Sequence, residues 1–186
     1  MIAIMFDHFM QRAAAAGHRP ARYRAGASLF RRGQSVSRIF FLAEGDVGLS
    51  RDGTGGEPLI LHRHTGPAVV AEASLYAAAY HCDGVALTDC AVHAVPRRSV
   101  RRWLEGDAAL AARWAAFLAS QVQAARTRAE LMTLKTVRAR LDAWLLLSQP
   151  SALPERGRWR DLAAELGVTP EALYRELARR GVGRRA

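Results

Sequence analysis

Between Tyr23 and Val95 the apolar positions come in short runs separated by turn-forming residues. Ile39-Phe-Phe-Leu42 is a continuous apolar run, Glu44-Gly-Asp46 a turn and Val47-Gly-Leu49 a second strand. Arg51-Asp-Gly-Thr-Gly-Gly56 reads as a glycine-rich hairpin loop ahead of Pro58-Leu-Ile-Leu-His62, and further strands are predicted at His81 to Leu87 and Cys90 to Val95. Strands this short, with turns this frequent, predict a small barrel or sandwich. A short helix from Asp7 to about Ala16 is expected ahead of it.

Beyond Pro96 the period becomes helical. Asp107 to Met132 contains neither Gly nor Pro, and Trp114, Leu118, Val122, Ala125, Ala129 and Met132 recur three or four apart, as one stripe of a helix. At about 1.5 Å per residue this helix extends roughly 35 to 40 Å, more than a small barrel needs as a cover. The same helix of a second subunit is the expected partner for the stripe, with packing on its own barrel as the alternative. A second helix, about Thr136 to Leu147, carries Val137, Leu141, Trp144, Leu145 and Leu147, and Ser151 to Gly157 reads as a linker. The expected organisation is α+β: a sensor barrel at residues 1–106, a dimerisation helix at 107–134 and a helix-turn-helix domain at 135–186.

The last of these rests on Trp159 to Arg180. Leu162, Ala163 and Leu166 share the inner face of one helix, Gly167 supplies a tight turn and Val168 fills the corner. Thr169 fits an N-cap and Pro170 the first helical position, where a missing N–H costs nothing. Leu173 and Leu177 anchor the second helix. This spacing predicts a DNA-binding helix-turn-helix whose second helix enters the major groove. An ordinary α-hairpin with a solvated charged face is the alternative. The expected DNA-binding residues are Thr169, Glu171, Ala172, Arg175, Glu176, Arg179 and Arg180. Arg175 suits guanine O6 and N7, Glu171 suits cytosine N4, and Arg158, Arg160, Arg179, Arg180, Arg184 and Arg185 suit phosphates.

Composition sharpens this division. The 186 residues carry a net charge of +10, and only one of the 27 cations, Lys135, is a lysine. With 36 alanines beside so many arginines, the total reflects compositional bias as much as function. Its distribution is more informative: residues 1–96 hold 9 arginines against 8 acids, residues 97–186 hold 18 cations against 9. A basic half facing an anionic polymer or membrane is expected. No apolar run approaches the roughly 20 residues that span a bilayer, and the N-terminus lacks the features of a secretory signal, so a cytoplasmic protein is expected. There Cys82 and Cys90 are expected as free thiols.

Three segments together resemble the Crp/Fnr family of bacterial transcription regulators: Phe30-Arg-Arg-Gly-Gln34 with Ile39-Phe-Phe-Leu-Ala-Glu-Gly45, Ala71-Glu-Ala-Ser-Leu-Tyr76, and Gly167-Val-Thr-Pro-Glu-Ala-Leu-Tyr-Arg175. The resemblance spans nearly the whole chain. It implies a cupin-like β-barrel (double-stranded β-helix) of the cyclic-nucleotide-binding type, a dimer helix and a winged helix-turn-helix. It also implies a homodimer acting on double-stranded DNA, with RNA polymerase as a further partner and no membrane. The family's base-reading Glu and Arg fall on Glu171 and Arg175, whereas the arginine that often precedes that Glu is Pro170. The sequence ends at Gly181-Val-Gly-Arg-Arg-Ala186, so a full wing is not expected.

The same resemblance locates the effector segment at Glu72, Tyr80, His81 and Cys82. Relatives that bind cyclic AMP hold its phosphate with a Gly-Glu pair and a downstream Arg-Ser pair. Here these read Ala71-Glu72 and Tyr80-His81-Cys82-Asp83, and no arginine falls between Arg63 and Arg97. A buried phosphate without a cation is costly, so cAMP is not expected as effector. The N-terminal cysteine cluster of iron–sulfur relatives is absent. His81 and Cys82 offer an imidazole and a thiol suited to copper or zinc, or to redox sensing, against an ordinary buried cysteine beside a hydrogen-bonded histidine. Adjacent strand residues face opposite ways, which opposes joint chelation unless a bulge intervenes or two subunits share the ion. Effector-free, constitutive DNA binding is another reading. A different class is a cupin-type metalloenzyme using His62, His64 and Glu72, although eight residues separate His64 from Glu72 where that pattern has four or five.

Overall fold

The computed structural model describes residues 2–52, 58–148, 153 and 156–182. The chain divides into two compact units, Met1–Ala119 and Ser120–Ala186. In the first, helix α1 (Ile2–Ala15) leads into eight strands: β1 (Ala21–Tyr23), β2 (Ser28–Phe30), β3 (Arg38–Glu44), β4 (Asp46–Asp52), β5 (Pro58–Thr65), β6 (Ala68–Val70), β7 (Asp83–Ala86) and β8 (Cys90–Pro96). Helix α2 (Arg97–Glu105) follows, and then α3 (Ala108–Thr133), whose residues up to Ala119 belong to this unit and the rest to the second. The second unit adds α4 (Val137–Ser148), α5 (Trp159–Leu166) and α6 (Pro170–Arg179).

Among the described residues the expected barrel does not close. The ladders form two antiparallel four-stranded sheets, β1-β8-β3-β6 and β2-β7-β4-β5, which make a sandwich. Two of the corners at which the chain changes sheets, β3 to β4 and β5 to β6, are set by their residues. At Gly45 the backbone turns with φ 90°, where a Cβ would collide with the Asp89 carbonyl and Cys90 Sγ, so only glycine fits. At Gly66–Pro67 the proline has no N–H to extend the pairing. The β4–β5 hairpin pairs Asp52 with Pro58, and the tip of its expected glycine-rich loop, residues 53–57, lies outside the described residues. β7 and β8, adjacent in sequence, fall in different sheets, so Cys82 and Cys90 are not on one hairpin; both thiols are free and buried.

The continuous apolar run of β3 has a direct cause. Phe40 faces the sandwich interior, 5.3 Å from the ring of Phe30 on the opposite sheet. Phe41 faces the other way, onto α1, with Phe9 at 4.9 Å and Phe6 at 6.2 Å. Both faces of the strand are covered, and polar alternation disappears. On α1, Met5, Phe6, Phe9 and Ala13 are buried at helical spacing, so the helix begins five residues earlier than expected.

The expected dimer stripe on α3 does not behave as one face. Trp114 is a core residue, 5.6 Å from Phe9, packed together with Leu110 and Phe117. Leu118 lies half-buried against the same core. Asp107 anchors the start of this helix by accepting from the Leu110 N–H at 3.0 Å and pairing with Arg12 at 2.6 Å. Farther along, Val122, Ala125, Ala129 and Met132 are exposed. Truncating the strand that joins the layers removes contacts on several elements at once. Phe41→Ala is therefore expected to lower unfolding free energy by about 3–5 kcal/mol, read as a reduced urea midpoint.

Candidate nucleic-acid interface and sensor segment

The second unit is built around Leu131, Leu141, Trp159, Leu162, Ala163, Leu166, Leu173 and Leu177. α5 ends where Gly167 adopts φ 60°, and a Cβ there would run into Met132. The Val168 N–H returns to the Ala163 carbonyl at 3.0 Å, closing the turn. Thr169 is extended, and its Oγ1 accepts from the Ala172 N–H at 3.2 Å, so α6 starts at Pro170 as expected. One guanidinium ties the ends of neighbouring helices together. Arg140 donates to the carbonyls of Leu134 (2.8 Å), Leu166 (3.0 Å) and Gly167 (2.8 Å), satisfying groups that helix ends leave open.

The outer face of α6 carries Glu171, Arg175 and Arg179, all exposed, beside a half-buried Ala172 and an exposed Thr169 cap. Two residues expected on this face are elsewhere. Glu176 is only 6% exposed, because it follows Leu173 by three residues and shares the inward face with Leu177. Arg180, four residues on, donates to Glu176 at 2.9 Å and pairs with Asp142 of α4 at 2.7 Å. Burial opposes its charged form, but the hydrogen bonds to Glu176 and Asp142 outweigh that and raise its pKa. Glu176 and Arg180 are therefore an internal ion pair joining α6 to α4 and not base or phosphate readers. Arg179 reaches Glu176 only at 3.7 Å and keeps most of its side chain in solvent. Arg160 is exposed, whereas the Arg158 side chain and Arg184 and Arg185 lie outside the described residues.

In the first unit the sensor segment is a single 3-10 turn, Glu72–Ser74, entered through Ala71 at φ 68°. Left-handed backbone is unusual for a residue with a Cβ. Glu72 Oε2 is buried with no hydrogen-bond partner, and burial pushes its carboxyl above the ordinary 4.5 despite a backbone hydrogen bond that opposes the rise. Ser74 is buried, with Oγ 3.4 Å from Nδ1 of His81.

Of the other expected effector residues, Cys82 lies within electrostatic reach of Glu72 and His81 meets the turn at Ser74, whereas Tyr80 is engaged elsewhere. Tyr80 stacks on Phe30 at 4.4 Å, and its hydroxyl donates to the Arg38 carbonyl at 2.7 Å while accepting from the Arg38 N–H. His81 is exposed and Cys82 is 1% exposed. Burial pushes the Cys82 thiol up, which suppresses the thiolate that metal binding and oxidation require. Among the described residues no three His, Cys, Asp or Glu side chains gather to hold a metal. His62 and His64 do meet, with ring centroids 4.4 Å apart, but Glu72 does not join them.

A cation that sequence order hid does reach this segment. β4 pairs with β7, placing Ser50 opposite Asp83, and from there Arg51 donates through Nε to the His81 carbonyl at 3.0 Å. Long-range strand pairing supplies it, and no local spacing could have indicated it.

Residues 20–107 match the family model described as cyclic nucleotide-binding domain. No curated protein sequence matches the chain. Among solved structures, FixK2 from Bradyrhizobium japonicum is similar at 21% identity and TM-score 0.66, over 87% of this chain and 85% of that one. A CRP-family transcriptional regulator from Thermus thermophilus aligns at 20% identity and TM-score 0.60, over 89% and 88%. The catabolite activator protein of the same organism aligns at 25% identity and TM-score 0.55, over 95% and 86%. Residues 20–107, which span the sandwich, thus resemble a cyclic nucleotide-binding domain, and the fold of the chain is similar to those of FixK2, a CRP-family transcriptional regulator and a catabolite activator protein.

Proposed function

We propose that this chain is a DNA-binding transcription regulator whose α6 enters the major groove. The observation that carries the reading is the α5–turn–α6 pair. Its glycine turn, threonine cap and proline start leave Glu171, Arg175 and Arg179 in solvent on one helix face. Crp/Fnr-like regulators are non-enzymatic DNA-binding factors, and the same assignment is made here. Arg175 reads guanine, Glu171 accepts from cytosine, and Arg160 and Arg179 hold phosphates. The exposed Val122, Ala125, Ala129 and Met132 of α3 meet a second copy, so that two α6 helices address two half-sites.

The sensor segment supports a regulator that does not respond to cyclic AMP. Its carboxyl is buried and favours the neutral form, and its own turn supplies no arginine for a phosphate.

Selection from random duplexes followed by anisotropy with the full chain tests the DNA assignment. Arg175→Ala is expected to weaken the enriched site about 10- to 100-fold, the equivalent of ~1–3 kcal/mol, while binding to random DNA changes little. Failure to enrich any sequence, or equal loss on both DNAs, overturns it. Val122→Asp is expected to shift a dimer to monomer in sedimentation. For Glu72 the folded pKa is raised, so its contribution is fully present below pH 4.5 and is lost as pH rises through the folded value. The Tm of Glu72→Gln is therefore expected to rise relative to the parent chain as pH increases from 4.5 toward neutrality.

A further inference from the structure

Helix α6 offers more of its surface than the row through Glu171, Arg175 and Arg179. Residues four apart share a helix face, so this row has two flanks: Ala172, Glu176 and Arg180 on one side, Pro170, Tyr174 and Ala178 on the other. The first flank is turned inward. Glu176 is buried, and Arg180 pairs with it and with Asp142 of α4. The second flank is open, with Tyr174 37% exposed and Ala178 exposed. A helix lying in a groove therefore brings the row of Pro170, Tyr174 and Ala178 to a groove wall, because its opposite flank is taken up by the protein. Pro170 and Ala178 carry no side-chain donor, which leaves the Tyr174 hydroxyl as the polar group of that row.

The Tyr174 ring is fixed in place by α5. It packs against Trp159, the first residue of that helix, with centroids 5.6 Å apart and planes at 54°. Arg156, in the 3-10 turn Arg156–Arg158 ahead of α5, sets its guanidinium 5.9 Å from the centre of the same indole. Trp159 is only 7% exposed, so it is the support and not the contact surface. What reaches solvent is Tyr174 and Arg156, and neither makes a hydrogen bond or ion pair among the described residues. Two side chains already ordered against one indole lose little freedom on binding. A phenolic O–H and a guanidinium without acceptors suit phosphate oxygens.

We propose that Tyr174 and Arg156, fixed by Trp159, hold phosphates along one wall of the groove that α6 enters. This rests on the assignment of α6 as the groove-reading helix. Anisotropy with the full chain on the enriched duplex and on random DNA, each across a salt series, is the test. Tyr174→Phe keeps the ring on Trp159 and removes only the O–H. It is expected to weaken both DNAs by the same factor, about 5- to 10-fold, because phosphate contacts are made on any sequence. Arg156→Gln is expected to weaken both DNAs equally and to reduce the slope of log affinity against log salt by about one, whereas Tyr174→Phe leaves that slope unchanged. Arg98→Gln, an equal charge change at an exposed position of α2, is expected to keep the parental affinity and slope. If the parent chain enriches no sequence, the assignment of α6 falls and this proposal with it. If the parent enriches a site, the phosphate contacts alone are overturned by parental affinity in Tyr174→Phe, by a parental slope in Arg156→Gln, by a loss confined to the enriched duplex, or by an equal drop in slope in Arg98→Gln.

Discussion

The ring of Phe9 lies 4.9 Å from Phe41, 5.6 Å from Trp114 and 6.3 Å from Trp103, so one side chain of α1 joins β3, α3 and α2. Each such pair contributes about 0.5–1.5 kcal/mol beyond the area it buries, and the cluster as a whole covers the outer face of the β1-β8-β3-β6 sheet. The rest of the first unit follows from that cover. β3 can be apolar on both faces, its inner face can meet Phe30, and α3 can begin from a fixed base where Asp107 receives Arg12. Once Trp114 is committed to this cluster, only the later part of the α3 stripe remains in solvent.

The basic half of the chain sorts its cations by a similar rule. Arg140 and Arg180 are spent on helix ends and buried carboxylates, where they tie α4 to its neighbours. An unpaired buried Glu176 would be strongly unfavourable, so Arg180 must stay with it. Charge that looked like nucleic-acid affinity is in part mortar for the small second core. Arg160, Arg175 and Arg179 are the exposed remainder on the described helices α5 and α6.

At the sensor turn Ala71 holds a left-handed corner despite its Cβ, and behind it Glu72 Oε2 is buried with no hydrogen-bond partner among the described residues. Tyr80 is occupied with the Arg38 backbone and the Phe30 ring instead. Cations reach the turn and its neighbour from other elements, Arg51 of β4 at the His81 carbonyl and Arg97 of α2 at the Leu75 carbonyl.

Periodicity, turn residues and caps act within a few residues of themselves, so the sequence by itself determined most of the strands, the start of α6 at Thr169–Pro170 and the glycine turn before it. The same local rules made Arg175 and Arg179 legible as exposed positions of an amphipathic helix. Burial depends on what packs against a face from far away in the chain. Only tertiary structure could place Trp114 against Phe9, pair Arg180 with Asp142 as well as Glu176, separate β7 from β8 and bring Arg51 to His81. It also decided that the eight strands divide between two sheets instead of closing into one barrel, because the pairing partners, such as β1 with β8 and β2 with β7, lie far apart in the chain.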